Sequence, residues 1–217
     1  MFLKKQTKKK INVYDGELLS MVSRLLSHGR RKVFVVLHTY GSHFEYRERY
    51  PRSMAYFRPD DKTEARYENR QSLINAYDNT IRYTDYVLHC LTQILERHGG
   101  LCAMLYTSDH GENIFDDDRR LFLHASPKAS EYELRVPFIV WQSEAHRQQF
   151  PAITAALVAN RGKQVQTSVS AFHTMLTLGG ISTPVCDSAA SVASLGYRPR
   201  EQHYLTDHNE PIPMVIK

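Results

Sequence analysis

No stretch of this sequence approaches the roughly 20 consecutive apolar residues that carry a helix across a bilayer, so none of it reads as a helical membrane span. No apolar segment follows Met1 either, so the start lacks the pattern of a secretory signal. Cysteine is scarce. Cys90, Cys102 and Cys186 show no metal-binding spacing, and three thiols cannot all pair with one another, which excludes a disulfide framework. Cys90 falls in a helical pattern and Cys102 opens an apolar run, so both are expected as buried thiols. There is no internal repeat, and the only biased segment is the basic start.

What is present is the composition of an ordinary globular protein: 217 residues, 42% hydrophobic, 24% charged, with thirteen tyrosines. Such a chain buries enough apolar surface to offset the entropy of ordering it, which excludes a disordered protein. The net charge of +5 draws on one run, Lys4, Lys5, Lys8, Lys9 and Lys10. Residues 1–14 are expected to form a basic, disordered leader, and residues 15–217 a folded domain. The run lacks interleaved aromatics and any recognisable module, so nucleic acid is not an expected partner.

Apolar positions from Asp15 to His28 recur at helical spacing, and Gly29 offers a stop. Val33 to Leu37 is a continuous β-branched and apolar run, the pattern of a strand buried on both faces. A long helix is predicted over Tyr67 to His98, with Leu73, Ile74, Tyr77, Ile81, Thr84, Leu88, Leu91 and Leu95 on its inner stripe and Gly99-Gly100 ending it. Further strands are predicted at Leu101–Tyr106 and Pro137–Trp141, and a helix at Ser168–Leu178. Strands alternating with helices imply an α/β fold with a mainly parallel sheet and helices on both faces.

In open α/β sheets, sites lie beyond the carboxyl ends of strands. Two predicted strands deliver polar clusters there, His38 to His43 and Asp109 to Glu112. Asp109 and His110 offer a carboxylate and an imidazole suited to zinc, and Gly111 lets the backbone turn beside them. His43 and His124 are candidates to join them across the fold, supplying neutral donors against charge developing on a phosphoryl group. His28, His89, His98, His146, His203 and His208 read as surface or hydrogen-bonded residues. His38 and His173 read as packing residues, Asp116-Asp117-Asp118 as a solvated acidic loop, and Tyr77, Asp78 and Asn79 as packing and hydrogen-bonding residues.

Val35-Val36-Leu37-His38-Thr39-Tyr40-Gly41-Ser42-His43 resembles the VLHxxGSH segment of bacterial phosphoethanolamine transferases. Gln71 to Asn79 resembles their SLINAYDN helix, Ser108 to Glu112 matches SDHGE, and Leu123-His124 followed by Pro127 is similar to LHGxP. Arg135-Val136-Pro137-Phe138 is similar to their VPF strand entry. The likeness spans about Asp15 to Trp141 and thins afterwards.

That family belongs to the alkaline phosphatase and sulfatase superfamily, and the resemblance implies the C-terminal part of such a domain, incomplete on its N-terminal side. It implies zinc as cofactor, held by Asp109 and His110, with His43 and His124 contacting the phosphoryl group or helping to hold a second metal. It implies transfer of phosphoethanolamine from a phospholipid donor to lipid A or another envelope glycan, at the periplasmic face of the inner membrane, with membrane attachment through an upstream region. The family's nucleophilic Thr and a Glu zinc ligand fall upstream of Asp15-Gly16-Glu17-Leu18-Leu19, and no counterpart is found in the basic leader, so the chain alone is expected to be inactive. After Gly41-Ser42-His43 the usual Gly-Pro is replaced by Phe44-Glu45, and the sulfatase signature of Cys or Ser followed by x-Pro-x-Arg is nowhere in the sequence. A phosphodiesterase or phosphoglycerol transferase of the same superfamily, and a non-catalytic binding domain of the same fold, are the alternative readings. An incomplete sheet exposes an edge, through which a dimer is expected.

Overall fold

The computed structural model describes residues 13–29, 32–125, 128–206 and 210–214. The lysine run and nearly all of the expected leader lie outside the described residues. The chain divides into two compact units, residues 1–98 with 114–122, and residues 99–113 with 123–217.

The first unit is built on helices. A short 3-10 turn, Asp15–Glu17, leads into α1, Leu18–Leu26, and another, Tyr67–Asn69, leads into α2, Arg70–His98. Val22 of α1 is buried, and Tyr14 and Leu19 pack with Tyr50, Tyr83 and Val87. Gly16 lets its turn approach α2 closely: a Cβ there would stand 2.6 Å from the Tyr83 hydroxyl, and the end of that ring would have to give way. The buried stripe of α2 runs through Leu73, Ala76, Thr80, Tyr83, Val87 and Leu91. It is rotated from the expected stripe, and Ile81 is exposed. A polar row on the same helix explains the rotation: Ser72, Asn75, Asn79 and Thr80 are buried because each binds the chain that crosses them. Ser72 accepts from the Lys62 N–H at 3.0 Å, Asn75 donates to the Pro59 carbonyl at 2.8 Å, and Thr80 reaches Ser42 at 2.6 Å.

The predicted strand at 33–37 is not formed; only Val36 makes an isolated bridge. Phe34 is 67% exposed, and Val33 and Val36 are exposed too. A strand is held by bonds to neighbours on either side, and this run has no ladder among the described residues.

The second unit begins with β1, Ala103–Thr107. Two short strands, β2 at Asn113–Ile114 and β3 at Phe122–Leu123, pair with each other. There follow α3 (Glu131–Leu134), β4 (Phe138–Gln142), α4 (Glu144–Gln149), α5 (Pro151–Ala159), α6 (Thr167–Leu178), β5 (His203–Leu205) and β6 (Pro211–Pro213). The expected parallel sheet is corrected here: β1 pairs with β4 antiparallel, Leu105 opposite Val140, and β5 pairs with β6 antiparallel. In both pairs the strands run in opposite directions, so neither carries the evenly spaced, slanted ladder of a parallel sheet. β1 is only half-buried along its length. Ser143 ties its start down, accepting from the Cys102 N–H at 3.1 Å and donating to the Gly100 carbonyl at 3.0 Å. Cys90, Cys102 and Cys186 form no disulfide and are half-buried. His146 is a structural residue, buried between Gln142 at 2.8 Å and the Leu178 carbonyl at 2.9 Å.

Candidate metal and phosphoryl site

The end of β1 runs directly into Ser108-Asp109-His110-Gly111-Glu112. The Ser108 hydroxyl donates to the His110 carbonyl at 2.7 Å, and the Asp109 carboxylate accepts the His110 N–H at 3.1 Å, so the turn closes on itself. Gly111 donates its N–H to the Glu133 carbonyl at 2.7 Å, and a Cβ on Gly111 would stand 2.0 Å from the Tyr132 carbonyl oxygen. Only glycine permits that approach, and the approach turns Glu112 inward.

His124 reaches the same place from the end of β3. Asn113 is the tie, donating to the Leu123 carbonyl at 2.8 Å and to the Glu133 carboxylate at 2.6 Å. Glu133 belongs to a capping box with Ser130 at the start of α3, and Ser130 also bonds Asn113. Leu123 and Ala125, on either side of His124, have φ of 66° and 65°. Side chains rarely take this left-handed backbone, so the imidazole is presented at an energetic cost.

The result is a cluster of His110, Glu112 and His124 whose ligand atoms lie within 4.8 Å of one another. The two imidazoles stack, centroids 3.7 Å apart. The Glu112 side chain is 5% exposed and accepts from His124 Nδ1 at 3.0 Å, while His110 Nδ1 faces the Gly111 carbonyl at 2.9 Å. In a neutral imidazole an Nδ1 that faces an oxygen acceptor carries the proton, which leaves the lone pair on Nε2 to face a ligand. The Asp109 carboxylate is 86% exposed and outside this cluster, but its Oδ2 lies 3.9 Å from His110 Nε2. Ligands on a tetrahedral zinc with bonds of about 2.1 Å stand roughly 3.4 Å apart. Two imidazoles flanked by carboxylates at these separations fit such an ion after small adjustments.

His43 lies in the first unit. Its loop is held by Asp15, whose carboxylate accepts the Tyr40 and Gly41 N–H groups at 3.0 and 2.9 Å, and by Thr80 through Ser42. His43 Nδ1 bonds the Phe44 carbonyl. Of the residues singled out from the sequence, the structure brings His110 and His124 together and adds Glu112, to which the sequence alone assigns no role. The signal for it was its place at the close of the SDHGE segment.

A family model described as sulfatase matches residues 2–181. The phosphoethanolamine transferase EptA of Salmonella typhimurium is 30% identical over 185 residues, covering 82% of this chain and 34% of that protein. The Kdo(2)-lipid A phosphoethanolamine 7''-transferase of the same organism is 35% identical over 129 residues, 58% of this chain and 22% of the other. The chain thus spans about a third or less of the length of these relatives. The crystal structure of the C-terminal periplasmic domain of phosphoethanolamine transferase EptC from Campylobacter jejuni superposes with a TM-score of 0.76 at 27% identity, covering 86% of this chain and 60% of that one.

Proposed function

The chain belongs to the sulfatase family, and on that premise we propose that it is part of a zinc-dependent transferase. The reaction is transfer of phosphoethanolamine from a phospholipid to lipid A or another envelope glycan, on the periplasmic side of a bacterial inner membrane. The names of the relatives supply the head group and the lipid A acceptor. The periplasmic setting follows the EptC domain, and among the described residues no helix is long and apolar enough to cross a membrane.

The observation that carries the reading is the packing of His110, Glu112 and His124 into one group at the end of β1. Zinc, when bound, supplies a Lewis acid that draws charge from the phosphoryl oxygens. His110 would hold it through Nε2, with the Asp109 carboxylate beside that nitrogen. Glu112 fixes the proton of His124 on Nδ1 and the ring in one orientation, leaving Nε2 to face a phosphoryl group or a second metal. His43, on the loop clamped by Asp15, would serve the phosphoryl group as well.

The test is zinc titration by calorimetry of the chelator-stripped chain, beside Asp109→Ala with His110→Ala, and Glu112→Ala with His124→Ala. Zinc binding that is lost with the first pair supports the assignment. Binding lost only with the second pair moves the metal to the Glu112 side, and no binding in any form refutes a metal site in this chain. In the full-length parent protein, turnover of ethanolamine over glycerol head groups separates this transferase from a phosphoglycerol enzyme, and phosphate binding without turnover marks a non-catalytic domain.

A further inference from the structure

The chain from residue 49 to 59 crosses α2 as a loop, and its side chains are unusual for a loop in water. Tyr56 is 67% exposed and Phe57 is 38% exposed, their rings edge to face at 5.0 Å. Residues 49–59 contain Arg49, Arg52 and Arg58 and no carboxylate. Arg52 and Arg58 are exposed. Arg82 of α2 joins them, its guanidinium 4.7 Å over the Tyr56 ring while it donates to the Met54 carbonyl at 3.3 Å. The next acid, Asp60, is turned inward, bonded to the Tyr50 hydroxyl at 2.7 Å and to Arg47 at 3.4 Å. Asp61 and Glu64 follow beyond it, on the surface.

The loop is also fixed. The buried Asn79 side chain accepts from the Tyr56 and Phe57 N–H groups at 2.8 and 2.9 Å and donates to the Phe57 carbonyl at 2.9 Å. It therefore holds two adjacent aromatic rings outward, where exposure to water is unfavourable. Tyr56, a ring with a polar edge, and the wholly apolar Phe57 stand among Arg49, Arg52, Arg58 and Arg82, with the exposed acids Glu48 and Asp61 at the two ends of the stretch, and arginine-flanked aromatics of this kind settle at the level of lipid head groups. Guanidinium pairs with phosphate esters there by charge-assisted hydrogen bonds.

We infer that this loop docks on an anionic phospholipid surface, with Arg52 and Arg58 on lipid phosphates and Tyr56 and Phe57 set among the head groups. The surface is independent of the metal site, so its test and that of the transferase reading fail separately.

The test is co-sedimentation of the full chain with phosphatidylcholine vesicles, with and without phosphatidylglycerol. Because the lysine run at 4–10 attracts anionic lipid on its own, the measurement is made both in the parent and with Lys4, Lys5, Lys8, Lys9 and Lys10 all changed to Gln. In both backgrounds, Arg52→Gln and Arg58→Gln should each weaken binding to the anionic vesicles about fivefold, and Tyr56→Ser with Phe57→Ser at least as much. Phe57→Trp should be quenched by brominated lipid, measured against the parent with its Trp141. Unchanged affinity of the loop variants in the lysine-free background, or no quenching, overturns the proposal. So does loss of soluble glucosamine-phosphate binding in the same variants with vesicle binding intact, since that assigns the loop to a glycan.

Discussion

Changing Asn79 to Ala is the sharpest test of how α2 organises the first unit. Its amide makes four hydrogen bonds: to the N–H groups of Tyr56 and Phe57, to the Phe57 carbonyl, and to the Tyr50 hydroxyl at 3.3 Å. The side chain is fully buried, and the 3.3 Å contact is the weakest of the four. Each bond contributes about 0.5–1.5 kcal/mol net, which gives roughly 2–6 kcal/mol for the set. Water can reach the freed N–H groups, because Tyr56 and Phe57 lie at the surface, and this lowers the expected loss to about 3 kcal/mol. Urea unfolding followed by far-UV circular dichroism should show a lower midpoint with an unchanged slope. Native-state hydrogen exchange should speed up first at Tyr56 and Phe57. A loss below about 1 kcal/mol, with exchange at those amides unaltered, would refute the view that Asn79 holds the loop. Asn79→Asp separates the two halves of the amide, since it keeps the acceptor for both N–H groups and loses the donor to Phe57 and Tyr50.

Gly111→Ala places a Cβ 2.0 Å from a backbone oxygen, so the turn must shift; thermal melting should show a loss of about 2–4 kcal/mol, and zinc affinity should fall with it. Ala125→Gly should instead raise stability by about 0.5–1 kcal/mol in the same assay, because it relieves a left-handed φ of 65°. Burial, and then its bond to Asp60, push the Tyr50 phenol up to about 12. The unfolded phenol ionises near 10, so the unfolded chain releases its proton first. The stabilisation is complete below about pH 10 and fades between about 10 and 12; Tyr50→Phe, measured by unfolding across that range, should flatten the decline. Among the described residues β1 and β4 pair only with each other, so light scattering should find self-association through their open edges; a monomer at all concentrations would refute it.

Helices were the most legible part of the fold, because a 3.6-residue period is a local property that needs no partner to be read. The predicted span of α2, Tyr67 to His98, matches the 3-10 turn and helix that are found. The buried face was read less well. Apolar residues alone place Ile81 inward, but the polar row of Ser72, Asn75 and Asn79 is what meets the crossing chain, and that depends on backbone groups some 10 to 23 residues away. Strands were legible as β-prone runs and not as pairings. Val33 to Leu37 and Ala103 to Thr107 look alike in sequence, yet one finds a partner in β4 and the other makes only an isolated bridge.

The site shows the same division between local chemistry and distant placement. Asp109 and His110 stand out in the sequence because a carboxylate and an imidazole at a strand end have the donor atoms that zinc takes, whatever the chain does next. Glu112 does not, because its place beside Gly111 in the SDHGE segment leaves open which way its carboxylate turns. That is decided by Gly111 against the carbonyls of Tyr132 and Glu133, about twenty residues further on, and by Asn113, which links Leu123 to the cap of α3. A buried carboxylate bonded to His124 is costly unless the imidazole beside it benefits. The backbone on both sides of that imidazole is held in a left-handed turn as well. The buried bond to Glu112 and the left-handed backbone on either side therefore converge on the orientation of one ring, which the fold fixes before any ligand arrives.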